Sequence, residues 1–248
     1  MKVFSIVGYS GSGKTTTIEY LIRELKARGY TVGSVKEVHS EGFTMDTKPE
    51  SNTNRHRAAG SELVTARGLT ETDIIFQEKL DMRKIFSFYS GFDYVICEGV
   101  RDYPIPTIMT SASLEDLEPK WSDYTFCVSG KIADEISEYN GIPALSAVTD
   151  VVALADLIEE KVFELLPNAD PGRCGACGGS CHETAMKIVR GKAKRSDCKG
   201  NLAVDLLISG QRIDMQPFVE KILRSTMLGF LCELKGYSEG SEISITLR

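Results

Sequence analysis

The stretch GYSGSGKT, Gly8 to Thr15, constrains this chain more than any other, because it sits between the apolar run VFSIV and the helical pattern KTTTIEYLIRELKARG. It fits G-x-x-x-x-G-K-[ST] in the context that motif requires, with a strand before it and a helix after it. A chance glycine turn would not bring both neighbours. In such a loop the glycines let successive backbone N–H groups wrap phosphates, and the helix start adds positive potential. The candidate nucleotide contacts are therefore Gly8, Ser10, Gly11, Ser12, Gly13, Lys14 and Thr15. Lys14 is placed on the outer phosphates as a catalytic charge, and Thr15 as a ligand of Mg²⁺.

Apolar runs alternate with helical patterns to about residue 165: VFSIV, a helix from Lys14, TVGSVK at 31 to 36, DIIF at 73 to 76, DYVICEG at 93 to 99, YTFCVSG at 124 to 130 and IPALSAV at 142 to 148. That order predicts an α/β fold with a mostly parallel sheet covered by helices on both faces, the P-loop NTPase plan. The polar stretch from Glu37 to about Asn54 has neither helical nor strand period, as expected of a functional or mobile loop. LPNADPGRCG marks a boundary near residue 166. The expected division is a nucleotide-binding domain over 1–165, a four-cysteine domain over 166–200 and a small strand-helix-strand unit over 201–248. In that last unit LAVDLLI and EISITL are the strands, and the helix runs near 216 to 234.

In an open parallel sheet, ligands sit beyond the carboxyl ends of the strands. Of the two acids in FDYVICEGVRD, Glu98 at the strand end therefore faces the phosphates, and Asp93 at its start does not. Glu98 is the candidate for holding Mg²⁺ through water or for orienting an attacking water; a helix-capping or salt-bridged glutamate is the alternative. Arg101 is either a phosphate contact or an ordinary surface arginine. No clear N-K-x-D guanine-reading motif is present. The nearest stretch, SGKIADE at 129 to 135, has Lys131 followed three residues later by Asp134, and spacing alone does not choose GTP over ATP.

The segment CGACGGSCHETAMKIVRGKAKRSDC concentrates four of the seven cysteines, Cys174, Cys177, Cys181 and Cys198. Four thiolates hold either a [4Fe-4S] cluster or a tetrahedral Zn²⁺. Structural zinc sites favour two C-x2-C pairs, whereas here three cysteines share one loop and the fourth follows a helix, which favours iron-sulfur. Cys97 and Cys127 fall within strands and Cys232 on the apolar side of a helix, so these three read as core. Lys187, Arg190, Lys192, Lys194 and Arg195 surround the segment, either as a solvated helix end that offsets thiolate charge or as a dock for an acidic partner or anionic cofactor.

Composition narrows the surroundings. Seven cysteines with no export signal favour reduced thiols and metal ligation over a disulfide framework. A net charge of -6 offers no bulk attraction for nucleic acid. No apolar stretch reaches the roughly 18 residues of a membrane span. A cytoplasmic protein with no membrane and no nucleic-acid partner is expected.

VGYSGSGKTTTIEYLIRELKARGYTVGSVKEVH, then MDTKP with RHRAAGSELV, then DYVICEGVRDYPIPTI resemble, in that order, the molybdopterin-guanine dinucleotide biosynthesis protein B family of P-loop proteins. The resemblance implies binding of GTP and Mg²⁺, weak GTP hydrolysis, a homodimer, and a helper role beside the guanylyltransferase that attaches GMP to molybdopterin. It places Gly8, Gly11, Gly13, Lys14, Thr15 and Thr16 on the phosphates and magnesium, Asp46 near the nucleotide and Glu98 at the end of the acidic strand. Glu37, after Lys36, stands where the family usually has histidine. The segment from LPNADPGRCGACGGSC to Cys198 is similar to small [4Fe-4S] domains of ion-pump electron-transfer subunits and corrinoid iron-sulfur proteins, with one residue fewer in its second gap. The expectation is a GTP-binding adapter in molybdenum or tungsten cofactor maturation. Its alternatives are an ATP-driven maturation factor for another metalloenzyme, and a binding module that does not turn nucleotide over.

Overall fold

A computed structural model describes residues 1–40, 42–44, 48–167, 179–198, 204, 206–208, 211–213, 215, 217–235, 237 and 243. Its centre is a five-stranded sheet of β1 (Lys2–Gly8), β2 (Val32–Lys36), β5 (Tyr94–Glu98), β6 (Thr107–Thr110) and β7 (Thr125–Ser129), in the order β2-β5-β1-β6-β7. Every neighbouring pair in it is parallel. Parallel strands need crossovers that cover both faces, and so β1 is apolar and buried along Val3, Phe4, Ile6 and Val7 without alternation.

Period-two geometry sorts these strands into two layers of core. Phe4, Ile6, Tyr94, Ile96 and Ile108 face Ile18, Leu21 and Leu25 of α1 (Lys14–Ala27) and Leu154 and Ile158 of α4 (Val151–Lys161). Val3, Val95 and Cys97 face the other way, against Phe86 of α3 (Met82–Ser87) and against Tyr103 and Ile105. Further along that second face, Val7, Met109 and Val128 pack with Leu117 and Ile132. The helix α5 (Cys181–Val189) joins the first layer, because Cys181, Ala185 and Val189 belong to the same apolar cluster as α1 and α4. Ser180 caps α5 in a reciprocal box with Glu183.

Several strand expectations need correction. DIIF does not enter the central sheet: β4 (Thr72–Phe76) pairs antiparallel with β3 (Leu63–Arg67) in a separate hairpin after the short α2 (Asn52–Ala58). Its side chains are exposed or half-buried, so it lacks the two-sided apolar run a central parallel strand needs. IPALSAV supplies only β9 (Ile142–Pro143), paired with β8 (Glu138–Tyr139), and one parallel bridge from Ala144 to Val128. The fifth central strand is instead β6, TIMT, too short to stand out by periodicity. Towards the C-terminus, β10 (Leu206–Ile208) and β11 (Gln211–Ile213) form an antiparallel hairpin ahead of α6 (Pro217–Leu231). Most of EISITL lies outside the described residues. Cys97 and Cys127 are fully buried core as expected, and burial pushes both thiols up to about 12. Cys232 is exposed just past the end of α6 and is not core. Among the described residues no helix is long and apolar enough to cross a membrane.

Candidate functional site

The loop between β1 and α1 is held in shape by its neighbours on β6 and β7. The Ser12 hydroxyl lies 2.8 Å from that of Thr110, which in turn donates to Val7 O at 3.0 Å. Ser12 is therefore the donor in its pair, and its buried side chain fastens the loop to the sheet. A Cβ on Gly8 would stand 2.2 Å from Thr110 O, so the loop approaches β6 more closely than any side chain permits. Gly13 caps α1 in the left-handed region, at φ 103°. Tyr9, Ser10, Gly11, Thr15 and Thr16 are left on the surface.

Charge gathers around this loop. The Lys14 ammonium donates to the loop carbonyls, to Tyr9 O at 2.7 Å and Gly8 O at 3.2 Å. Its pKa is pushed below the ordinary lysine value, chiefly by desolvation. Glu98 opposes that shift, while Lys120 and Lys36 add to it. Glu98 ends β5 as expected and pairs with Lys36 at 3.2 Å. Lys120 lies over the Tyr9 ring at 4.0 Å, within cation–π range. Three lysines and one carboxylate thus converge on one phosphate-sized loop. Lys36 and Lys120 carried no motif of their own; that a lysine leaves the end of β2 beside Glu98 follows only from the β2–β5 register, Lys36 opposite Glu98.

Other predicted residues divide. Asp46 lies outside the described residues. Glu37 pairs with Lys79 at 3.0 Å. Arg101 donates to Lys120 O at 3.3 Å, tying two loops of the site's rim together. Asp93, at the opposite end of β5, accepts from the N–H and hydroxyl of Thr31, both at 2.8 Å, which holds its carboxyl below the usual range.

Of the four clustered cysteines, Cys174 and Cys177 lie outside the described residues. Cys181, in the first turn of α5, and Cys198 are both buried in the apolar cluster of the first layer. The Arg195 guanidinium donates to the carbonyls of Glu164, Leu165 and Cys198, binding the end of the segment to the chain that leaves the central fold. Arg190 pairs with Asp123, and the Tyr124 hydroxyl meets His182 Nδ1 at 2.8 Å. Two of the five basic residues here are therefore engaged with the protein itself. Dry surroundings and thiol donors suit an iron-sulfur cluster, whose irons take Cys thiolates.

Residues 3–121 match the family model for "Molybdopterin guanine dinucleotide synthesis protein B", MobB. Over those residues the chain is similar to MobB. Residues 166–199 match a second model, described as "Putative Fe-S cluster". A relative from Methanocaldococcus jannaschii, named "Putative molybdopterin-guanine dinucleotide biosynthesis adapter protein", is 27% identical over 100% of this chain and 97% of its own length. The adapter protein of Haemophilus influenzae is 29% identical, covering 63% of this chain and 87% of its own. The crystal structure of Bacillus subtilis MobB covers 66% of this chain and all of its own, with TM-score 0.55 and 24% identity, a likeness in fold. The M. jannaschii match runs through residues 3–121 and the cysteine segment alike, whereas the H. influenzae match covers less than two thirds of the chain.

Proposed function

We propose that the protein is a GTP-binding adapter with weak GTPase activity that serves molybdenum or tungsten cofactor biosynthesis at the formation of molybdopterin guanine dinucleotide. The observation that carries this reading is the convergence of Lys14, Lys36, Lys120 and Glu98 on the phosphate loop. A triphosphate entering it would take over the Lys14 ammonium from the carbonyls of Gly8 and Tyr9, exchanging neutral acceptors for charged ones. Backbone N–H groups from Gly8 to Thr16, with Ser10, Gly11, Ser12 and Gly13 between, surround the phosphates. The Thr15 hydroxyl and the Glu98 carboxylate are hard oxygen donors that fit Mg²⁺, which would supply charge neutralisation between the phosphates. Glu98 sits where it can orient a water, and it pairs with Lys36.

Four residues, Cys174, Cys177, Cys181 and Cys198, would hold a [4Fe-4S] cluster, with Zn²⁺ the alternative occupant. That segment gives the adapter a redox sensor or a dock for a cluster-containing acceptor enzyme. Its partners on this reading are the guanylyltransferase, the acceptor molybdoenzyme, molybdopterin itself and a second copy of the chain. The exposed apolar residues Leu63, Leu69 and Ile74 on the β3–β4 hairpin support a homodimer.

Anaerobic equilibrium binding of GTP and ATP, each with Mg²⁺, tests the reading. A GTP preference of tenfold or more, about 1.4 kcal/mol, supports it. An ATP preference would favour the ATP-driven maturation of another metalloenzyme.

A further inference from the structure

The stretch SGKIADE acquires in three dimensions a position that its spacing did not reveal. The sheet register sets Gly8 opposite Thr110 and Thr110 opposite Ser129, so the chain leaving β7 starts level with the phosphate loop. It is fastened there. The Lys131 N–H donates to Ser12 O at 3.3 Å and the Ile132 N–H to Ser111 O at 3.0 Å. Ile132 is buried beneath the turn. A Cβ on Gly130 would stand 2.2 Å from Ser12 O, and Gly130 holds φ 80°, so a side chain has no place at that position. The chain then makes one 3-10 turn, Lys131–Asp134. Residues three apart eclipse in that geometry, and Lys131 and Asp134 share one side, both exposed. At the root of the turn the buried Ser129 hydroxyl has no hydrogen-bond partner among the described residues.

The direction of a bound nucleotide follows from the same topology. With phosphates over Gly8 to Thr15, the Lys36–Glu98 pair stands on the β2–β5 side. The nucleoside then leaves over β6 and β7, towards Lys131 and Asp134. We propose that these two residues read the base, an inference that rests on the nucleotide reading above. Guanine presents its N1–H and 2-amino donors side by side, and a carboxylate accepts both. Adenine presents an acceptor at N1 and no 2-amino group, so Asp134 repels it. The Lys131 stem supplies apolar cover for the base plane while its charge stays in water. Gly130 precedes Lys131 where N-K-x-D has an asparagine, because the phosphate loop leaves no room for a side chain there, and the acid follows the lysine by three residues and not two, which is why the pattern escapes a sequence match.

The test is competition binding of GTP, ATP and xanthosine triphosphate, each with Mg²⁺, to the full chain as wild type, Asp134→Asn and Lys14→Ala. Xanthine carries a carbonyl where guanine carries its 2-amino group, and an asparagine amide offers the donor and acceptor that match it. Asp134→Asn should weaken GTP about tenfold or more and strengthen xanthosine triphosphate by a similar factor, with ATP unchanged. An unchanged ratio of GTP to xanthosine triphosphate in Asp134→Asn, with binding still lost in Lys14→Ala, would overturn the base assignment and leave the phosphate loop standing. Absence of Lys14-dependent binding in the wild type would remove both.

Discussion

Lys14 and Glu98 make opposite demands on one site. Lys14 is partly desolvated and rests on two carbonyls, so on the nucleotide reading its replacement removes the charge offered to phosphate. Lys14→Ala should abolish nucleotide binding at millimolar concentrations by equilibrium titration, and retained tight binding would refute the loop's role. Glu98→Gln keeps the shape but loses the ion pair with Lys36; hydrolysis should fall by about tenfold or more while GTP affinity changes little, since activation of water is lost and not the phosphate cradle. Asp93 gives the pH dependence. Its folded pKa is lowered by the two bonds from Thr31, so its stabilising contribution is complete above the ordinary value of 3.8 and is lost as pH falls through the lower folded value. Asp93→Asn should lower the melting temperature at pH 7 and bring the wild type and the variant closer together as the pH drops below about 4.

At the scale of elements, the site depends on β6 and β7 pressing the phosphate loop from below. Gly130→Ala puts a methyl into Ser12 O at a backbone angle that disfavours any side chain. The expected result is weakened binding of both GTP and ATP together with a lower melting temperature; unchanged affinity for both would show that the packing of this turn on the loop does not matter. The helix α5 makes the corresponding demand at the back of the sheet. Cys181 lies in its first turn and within the core, so Cys181→Ser, prepared without oxygen, should lose iron and broad visible absorption together. A colourless wild-type protein holding one zinc would replace the iron-sulfur reading with a zinc one.

Over the whole molecule, the helix behind the phosphate loop and the cysteine segment share one apolar layer. Leu154 and Ile158 of α4, Leu21 and Leu25 of α1, and Cys181, Ala185, Val189 and Cys198 belong to a single cluster beneath the sheet. Leu154→Ala should cost about 2 to 5 kcal/mol, as large-to-small changes in buried leucines do. It should lower cluster retention and GTP affinity in the same variant, measured by iron content and titration after mild heating. Loss of only one of the two would show that the layer does not couple them.

How much of this was legible beforehand differs by feature, for one physical reason. Local sequence determined the phosphate loop, α1, β1, β2, β5 and β7, and the buried Cys97 and Cys127, because each is set by apolar runs or by glycines at fixed offsets. It also singled out Glu98, whose place at a strand end is a matter of chain order. DIIF misled because a short β-branched run reads the same in a hairpin as in a central strand, and only its missing neighbours exposed it. Lys36, Lys120, Thr110 and Gly130 lie far apart in the chain and meet at the loop only through strand order and register, which no local pattern encodes. Likewise the burial of α5 on the same face as α1 and α4 was decided by tertiary packing, since hydrophobic burial is non-directional and accepts any apolar face that fits.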